Sequence, residues 1–330
     1  MKRKNNLFLL TLQGFSYGVF ISYMIGMLFE QFGLIFNIQP FISLGILDKA
    51  LVGPAIGVAV AYALKATSLT LVSSVIAGTI GSGSLEITQG HISLHNPDFI
   101  TCYIVVVISI IIGKMIQDNF SCHFICPFLI YIIAMILYQL IHPYMNQFIL
   151  WISGFVQSIS YMNPIIACLL ISMLIGILSI TPISAIAIVA LLDVGGTINA
   201  AIMAGCITFM VVLAVMSIED NSIIDVFMIA IATGMLQLVN LIRKPILFIP
   251  PILISFISGL CVSIMHLQVH VSTEILTLGP VGLLRLMPHA TSWILLIISV
   301  IIPAFLSLAI IRAMKKLKYM KNGDMKLMHL

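Results

Sequence analysis

The chain has 330 residues, of which 61% are hydrophobic and only 8% charged, with a net charge of +4. A soluble domain carries about 25% charged residues, so this composition excludes a soluble globular fold. The apolar runs are continuous rather than alternating, which excludes a membrane barrel and leaves an all-α, polytopic integral membrane protein.

A bilayer core needs about 20 apolar residues per helical span, so the length holds about ten transmembrane helices. The pattern places spans near 7–29, 49–65, 67–83, 98–117, 122–141, 163–180, 183–193, 197–216, 223–242, 250–268 and 291–314. The first is longer than the apolar core of a signal peptide and lacks a small-residue cleavage site, so it reads as retained. Residues 145–160 put Phe148, Ile152, Phe155, Val156 and Ile159 on one helical face, an amphipathic helix with Trp151 suited to an interface. One membrane domain over 1–330 is therefore expected, with halves 1–144 and 161–314 joined by that helix.

Three stretches depart from plain spans. Residues 67–84 are rich in Ser, Thr and Gly, 181–199 contain Pro182, Asp193, Gly195 and Gly196, and 277–288 read TLGPVGLLRLMP. Gly- and Pro-interrupted pieces are tolerated at membrane depth where they are buried in protein or line a cavity. All three read as re-entrant or broken segments. Residues 67–83 also align without a gap on 181–197, Thr67 with Thr181 and Gly81 with Gly195, which reads as an internal repeat of the kind that marks transporter sites.

The basic residues gather at the ends, Lys2, Arg3 and Lys4 before the first span and Arg312, Lys315, Lys316, Lys318, Lys321 and Lys326 after the last. The positive-inside rule then puts both termini in the cytoplasm, with the cell membrane's lipid headgroups as the partner of these charges. They lack interleaved aromatics, which argues against nucleic acid. The cysteines (Cys102, Cys122, Cys126, Cys168, Cys206, Cys261) form no CxxC, and Cys122, His123 and Cys126 fall short of a ligand set. His266 and His270 share a helical face without a carboxylate partner. No metal and no cofactor is expected, and no P-loop or nucleophile elbow appears.

Intramembrane ionisable residues need a reason, because each costs about 2.5–3.5 kcal/mol at a span centre. Glu30, Asp48, Asp98, Asp118, Asp220, Asp225 and Glu274 fall at predicted helix ends or loops, where water satisfies them. Glu86, Asp193 and Glu219 sit beside polar or glycine-rich backbone and are candidate solute ligands. Gln237 and Asn240 recur at helical spacing in 223–242 and point at a cavity or another helix. Arg285, inside the re-entrant piece, is suited to an anionic group. No residue stands out as catalytic.

Two stretches, GPAIGVAVAYALKATSLTLVSSVIAGTIGSGS at 53–84 and VMSIEDNSIIDVFMIAIATGMLQLVNLIRKPILFIPP at 215–251, carry a resemblance. With Gly234, Gln237, Asn240, Pro245, Pro250 and Pro251 as its strongest element, the chain resembles the enzyme IIC-like permease family of the sugar phosphotransferase system, in the branch that includes a membrane protein described as a toxin-production regulator. The resemblance implies a permease that binds a sugar-like small solute, often as a homodimer, with any phosphoryl donor on a separate phosphotransferase-system chain. The sugar-binding glutamate motif of the best-known branch is represented only by LEIT at 85–88, which carries Glu86. A membrane-embedded solute sensor or regulator, and an ion-coupled carrier, are the alternative readings.

Overall fold

The computed structural model describes residues 7–88, 91–119, 124–287 and 290–327, leaving out the side chains of Glu86, Ile87, Thr88, Ile92, Asp118 and Asn119. The N-terminal basic cluster, Cys122 with His123, and His289 lie outside the described residues. The described chain divides into two units, one ending at Phe148 and the other running Ile149–Leu327.

The first unit opens with an uninterrupted apolar helix, α1 (Leu7–Val19), a π turn (Phe20–Met24) and α2 (Ile25–Phe36). Asn37 ends it in the left-handed conformation (φ 56°), reversing the chain into α3 (Gln39–Ala50). A break at Leu51 bends α3 by 54° from α4 (Val52–Ala63). Helix α5 (Ser68–Ser82) then packs on α4 so closely that a Cβ at Gly57 would lie 2.0 Å from the Ser74 carbonyl oxygen. Small residues allow such backbone approach, which drives helix association where no hydrophobic effect operates. Residues 67–83 are therefore one continuous helix, not the re-entrant piece the Ser/Thr/Gly content suggests.

An antiparallel hairpin follows, β1 (Leu85–Thr88) with β2 (His91–Leu94), a short element in a chain that is otherwise helical. Helix α6 (Phe99–Asn119) starts from Asp98, whose carboxylate accepts the Thr101 amide. Helix α7 (Ile125–Ser160) runs on through Pro143, so the expected span at 122–141 and the amphipathic helix at 145–160 are one element of 36 residues. The division between the units falls inside it.

The second unit is organised around one helix. Asn163 caps α8 (Pro164–Ser179), a short α9 (Ala185–Ala190) follows, and α10 (Thr197–Ser217) runs through the centre with 94% of its apolar window buried. Its 21 residues reach about 30 Å, the thickness of a bilayer core. Next come α11 (Ile223–Ile231), a 3₁₀ turn (Gly234–Gln237) with α12 (Leu238–Arg243), and a second 3₁₀ turn (Pro245–Phe248) with α13 (Ile249–Ile264). Two short helices, α14 (Thr273–Thr277) and α15 (Pro280–Leu286), precede α16 (Ala290–Leu296), a π turn (Ile297–Ile301) and α17 (Ile302–Lys316).

Among the described residues six helical runs are long and apolar enough to cross a bilayer, or eight if each bent pair is one span. Of the expected spans, 183–193 holds only the short α9 and 223–242 is bent at its middle. Residues 181–197 hold only the six-residue α9 before the chain leaves the helix, whereas the aligned 67–83 stay helical throughout.

Candidate functional site

Residues 223–243 form a re-entrant hairpin rather than a span. The axis turns by 119° between α11 and the Gly234–Arg243 leg, and both ends of the segment meet the same stretch of chain, residues 323–327. At the first end Asp220 accepts the amides of Gly323 (2.6 Å) and Met325 (2.9 Å), and Asn221 accepts the Leu327 amide (2.7 Å) while donating to the Met325 carbonyl (2.8 Å). At the other, Gln237 donates to the same Met325 carbonyl (3.0 Å), Asn240 to the Lys326 carbonyl (3.1 Å), and Lys244 pairs with Asp324 at 2.5 Å. Residues 317–327 thus strap the two legs together, with Met320, Met325 and Leu327 buried in the same apolar cluster as Phe209, Leu213 and Leu241.

The hairpin turns at Thr233 and Gly234. Thr233 is extended and 2% exposed, and its hydroxyl oxygen accepts the Met235 amide at 3.0 Å. A Cβ on Gly234 would meet Ile180, Leu213 and, at 3.8 Å, Met210. Met210 lies three residues past the midpoint of α10, so the tip reaches the middle of the central helix.

A second hairpin arrives from the opposite end. Its base is tied near the start of α10, where the Val269 amide bonds the Gly196 carbonyl and Asn199 donates to the Val269 carbonyl. The chain descends through α14 and turns at Leu278–Pro280 with Gly279 in positive φ (65°), where a Cβ would lie 2.3 Å from the Met210 sulfur. It returns along α15, where a Cβ on Gly282 would meet the Met203 methyl at 3.1 Å. Two re-entrant tips, entering from opposite ends, therefore converge on Met210. Discontinuous segments meeting at mid-depth form the solute site of many transporters.

The residues singled out from sequence do not form one cluster. Glu219, Gln237 and Asn240 stand at the strapped end of α10 and Asp193 at the other, about 30 Å away along that helix. Glu219 is exposed and pairs with Lys315 at 2.5 Å. Gln237 and Asn240 are buried, joined to each other at 2.7 Å, and hold the strap rather than face open space. Asp193 is exposed. The Gln157 side chain clamps its backbone, accepting the Asp193 amide at 2.9 Å and donating to its carbonyl at 3.3 Å, and Gly195 beyond it faces open space. Arg285 lies one turn past Gly282 on α15, exposed, with no partner among the described residues. Among the six candidates it stands on the returning leg of the second hairpin, as Gln237 stands just past the tip of the first.

Glu86 belongs to the first unit, and its side chain lies outside the described residues. Its strand β1 is anchored where Ser84 donates to the Ala50 carbonyl and accepts the His95 amide on its own carbonyl. Asp98, bonded through its amide to the Ser82 carbonyl, pairs there with His142 at 3.1 Å, and Tyr138 stacks on that imidazole. Sequence reasoning placed Asp98 at a helix end but missed its pairing with His142, and it missed Thr233 and the strap. For Thr233 the signal was the IATG break in an otherwise apolar run, and for the strap it was Met320, Met325 and Leu327 recurring among the lysines.

Among the described residues no group of three or more His, Cys, Asp or Glu side chains could hold a metal ion. No curated protein and no solved structure matches the chain. Residues 10–327 match the family described as "Phosphotransferase system, EIIC". With nearly its whole length matched, and with apolar helices fit to cross a bilayer several times, the chain belongs to the EIIC family of phosphotransferase-system membrane permeases.

Proposed function

We propose that the chain binds a sugar-like, polyhydroxylated solute where the tips at Thr233–Gly234 and Leu278–Pro280 meet on Met210, and translocates it across the cell membrane. The convergence of two re-entrant hairpins from opposite ends of α10 carries the reading, because each tip stands between Met210 and its own end of the helix. Arg285, exposed on the returning leg of the second hairpin, is suited to a hydroxyl cluster or to an anionic substituent. Gln237 and Asn240 act at one remove, by fixing the strap that holds the first hairpin, and Glu219 with Lys315 closes the same end. Asp193 and, in the first unit, Glu86 are separate candidate contacts.

In this reading the phosphoryl donor is another phosphotransferase-system chain, the working unit is a homodimer, and the basic end of the second unit, with Lys244, Lys315 and Lys316, faces the cytoplasm. The test is uptake by the protein reconstituted in liposomes against a panel of sugars, polyols and sugar acids, with and without a phosphoryl donor system. Saturable, competable uptake of a polyhydroxylated solute is the expected result. Binding without uptake under either condition would replace the permease with the solute sensor.

A further inference from the structure

The first unit carries a groove of about 500 Å³, lined on one side by Tyr17, Gly18, Ile21 and Ser22 and on the other by Asp48, Leu51, Val58 and Tyr62. Both walls depart from regular helix at this point. The π turn at Phe20–Met24 supplies Ser22, whose hydroxyl donates to the Asp48 carbonyl, and the 54° bend at Leu51 opens the opposite wall. π turns inside α-helices concentrate at functional sites. The groove is the size of a small-molecule site, and such sites combine a mostly apolar lining with a few placed polar groups.

Asp48 is the group that gives this groove a chemistry. Its carboxylate takes no hydrogen bond and no ion pair from any described residue. The neighbouring cation cannot neutralise it, because Lys49 is engaged by Glu30 at 2.5 Å with both side chains largely buried. Glu30, Asp48 and Lys49 together leave one uncompensated negative charge beside an apolar surface. A buried or half-buried carboxylate is costly unless paired. Tyr62 presents an exposed ring on the same groove, and aromatic faces attract cations.

We propose that this groove is a binding site for a monovalent organic cation with an apolar body, its charge paired by Asp48 and its body held between Tyr62 and the aliphatic wall. Ligand, carboxylate and groove match in sign, size and polarity. The site is separate from the solute site of the second unit and does not depend on it.

The test uses tetraphenylphosphonium on the full chain in detergent by equilibrium dialysis, with neutral triphenylphosphine oxide as the uncharged comparison. Saturable binding of about one cation per chain is expected, weakened about tenfold or more by Asp48→Asn and retained by Asp48→Glu. If Asp48→Asn fails to fold, the wild-type chain gives a second readout: the cation should slow carbodiimide modification of Asp48, read by mass spectrometry of its peptide. Unsaturable partitioning, equal affinity for the neutral compound, unchanged binding in folded Asp48→Asn, or an unprotected Asp48 would each overturn the proposal.

Discussion

Asp220→Asn should release the strap at residues 317–327 while leaving the helices in place. The native carboxylate accepts two backbone amides, Gly323 at 2.6 Å and Met325 at 2.9 Å. The substitution keeps the shape but replaces one acceptor oxygen by an NH₂ group that faces an amide N–H, and it weakens the remaining bond by removing the charge. Charge-assisted hydrogen bonds contribute about 1.5–3 kcal/mol each. Solvent reaches part of this pair, so the combined loss is taken at about 2–3 kcal/mol, or about a 30- to 150-fold shift toward the open strap. Amide hydrogen exchange at Gly323, Met325 and Leu327 reads that shift directly, and tryptic cleavage after Lys321 and Lys326 should accelerate by a similar factor. Asp225→Asn is the control, since among the described residues Asp225 bonds only locally with Ser222. Exchange and cleavage rates equal to wild type in Asp220→Asn would refute the bridging role assigned to Asp220.

Three further outcomes are expected. Gly205→Ala puts a Cβ 2.1 Å from the Ser172 carbonyl oxygen, so α8 and α10 must separate by about 1 Å at a cost of about 1–3 kcal/mol; its melting temperature in detergent should fall, whereas Gly154→Ala, with open space around it, should match wild type. Arg285→Gln should weaken solute binding about tenfold or more without altering melting, and unchanged affinity by calorimetry would remove Arg285 from the site. Glu86→Gln keeps volume while removing charge, so a solute-contacting carboxylate should show the same tenfold-scale loss with normal expression, and equal affinity would send the search in the first unit to Asp98 and His142.

How much of this was legible in the residues depends on what each signal measures. Apolar runs report that a segment sits in lipid or protein, and from them the helical membrane fold follows. They carry no direction. Residues 223–242 are apolar enough for a crossing, yet the reversal at Thr233–Gly234 returns the chain to the end it came from, and only contacts from 220, 221, 237, 240 and 244 to the strap reveal it. The piece at 277–288 was readable because Gly279 and Pro280 stand together, a pair that ends a helix by conformation rather than by hydropathy. Glycine and serine content misled at 67–84, where small residues serve close packing against α4 inside an unbroken helix. The helical spacing of Gln237 and Asn240 correctly marked one face, but a buried amide pair satisfies itself as well on backbone carbonyls of the same chain as on a ligand.

The two hairpins are held very differently, and that difference bears on which one yields first. The segment at 223–243 is fixed at its base by the strap, through Asp220, Asn221, Gln237, Asn240 and the Lys244–Asp324 pair, so moving its legs apart breaks several polar contacts at once. Among the described residues the base of the other hairpin is tied to the start of α10 by the Val269 amide and the Asn199 amide group, and its returning leg by the Ser292 hydroxyl on the Leu286 carbonyl. Neutral hydrogen bonds of this kind contribute about 0.5–1.5 kcal/mol each. Elements that move are drawn from the less stable end of a structure. On the proposed reading, opening toward the start of α10, past Gly279, is expected to be the smaller rearrangement, and opening toward the strapped end requires the strap to let go.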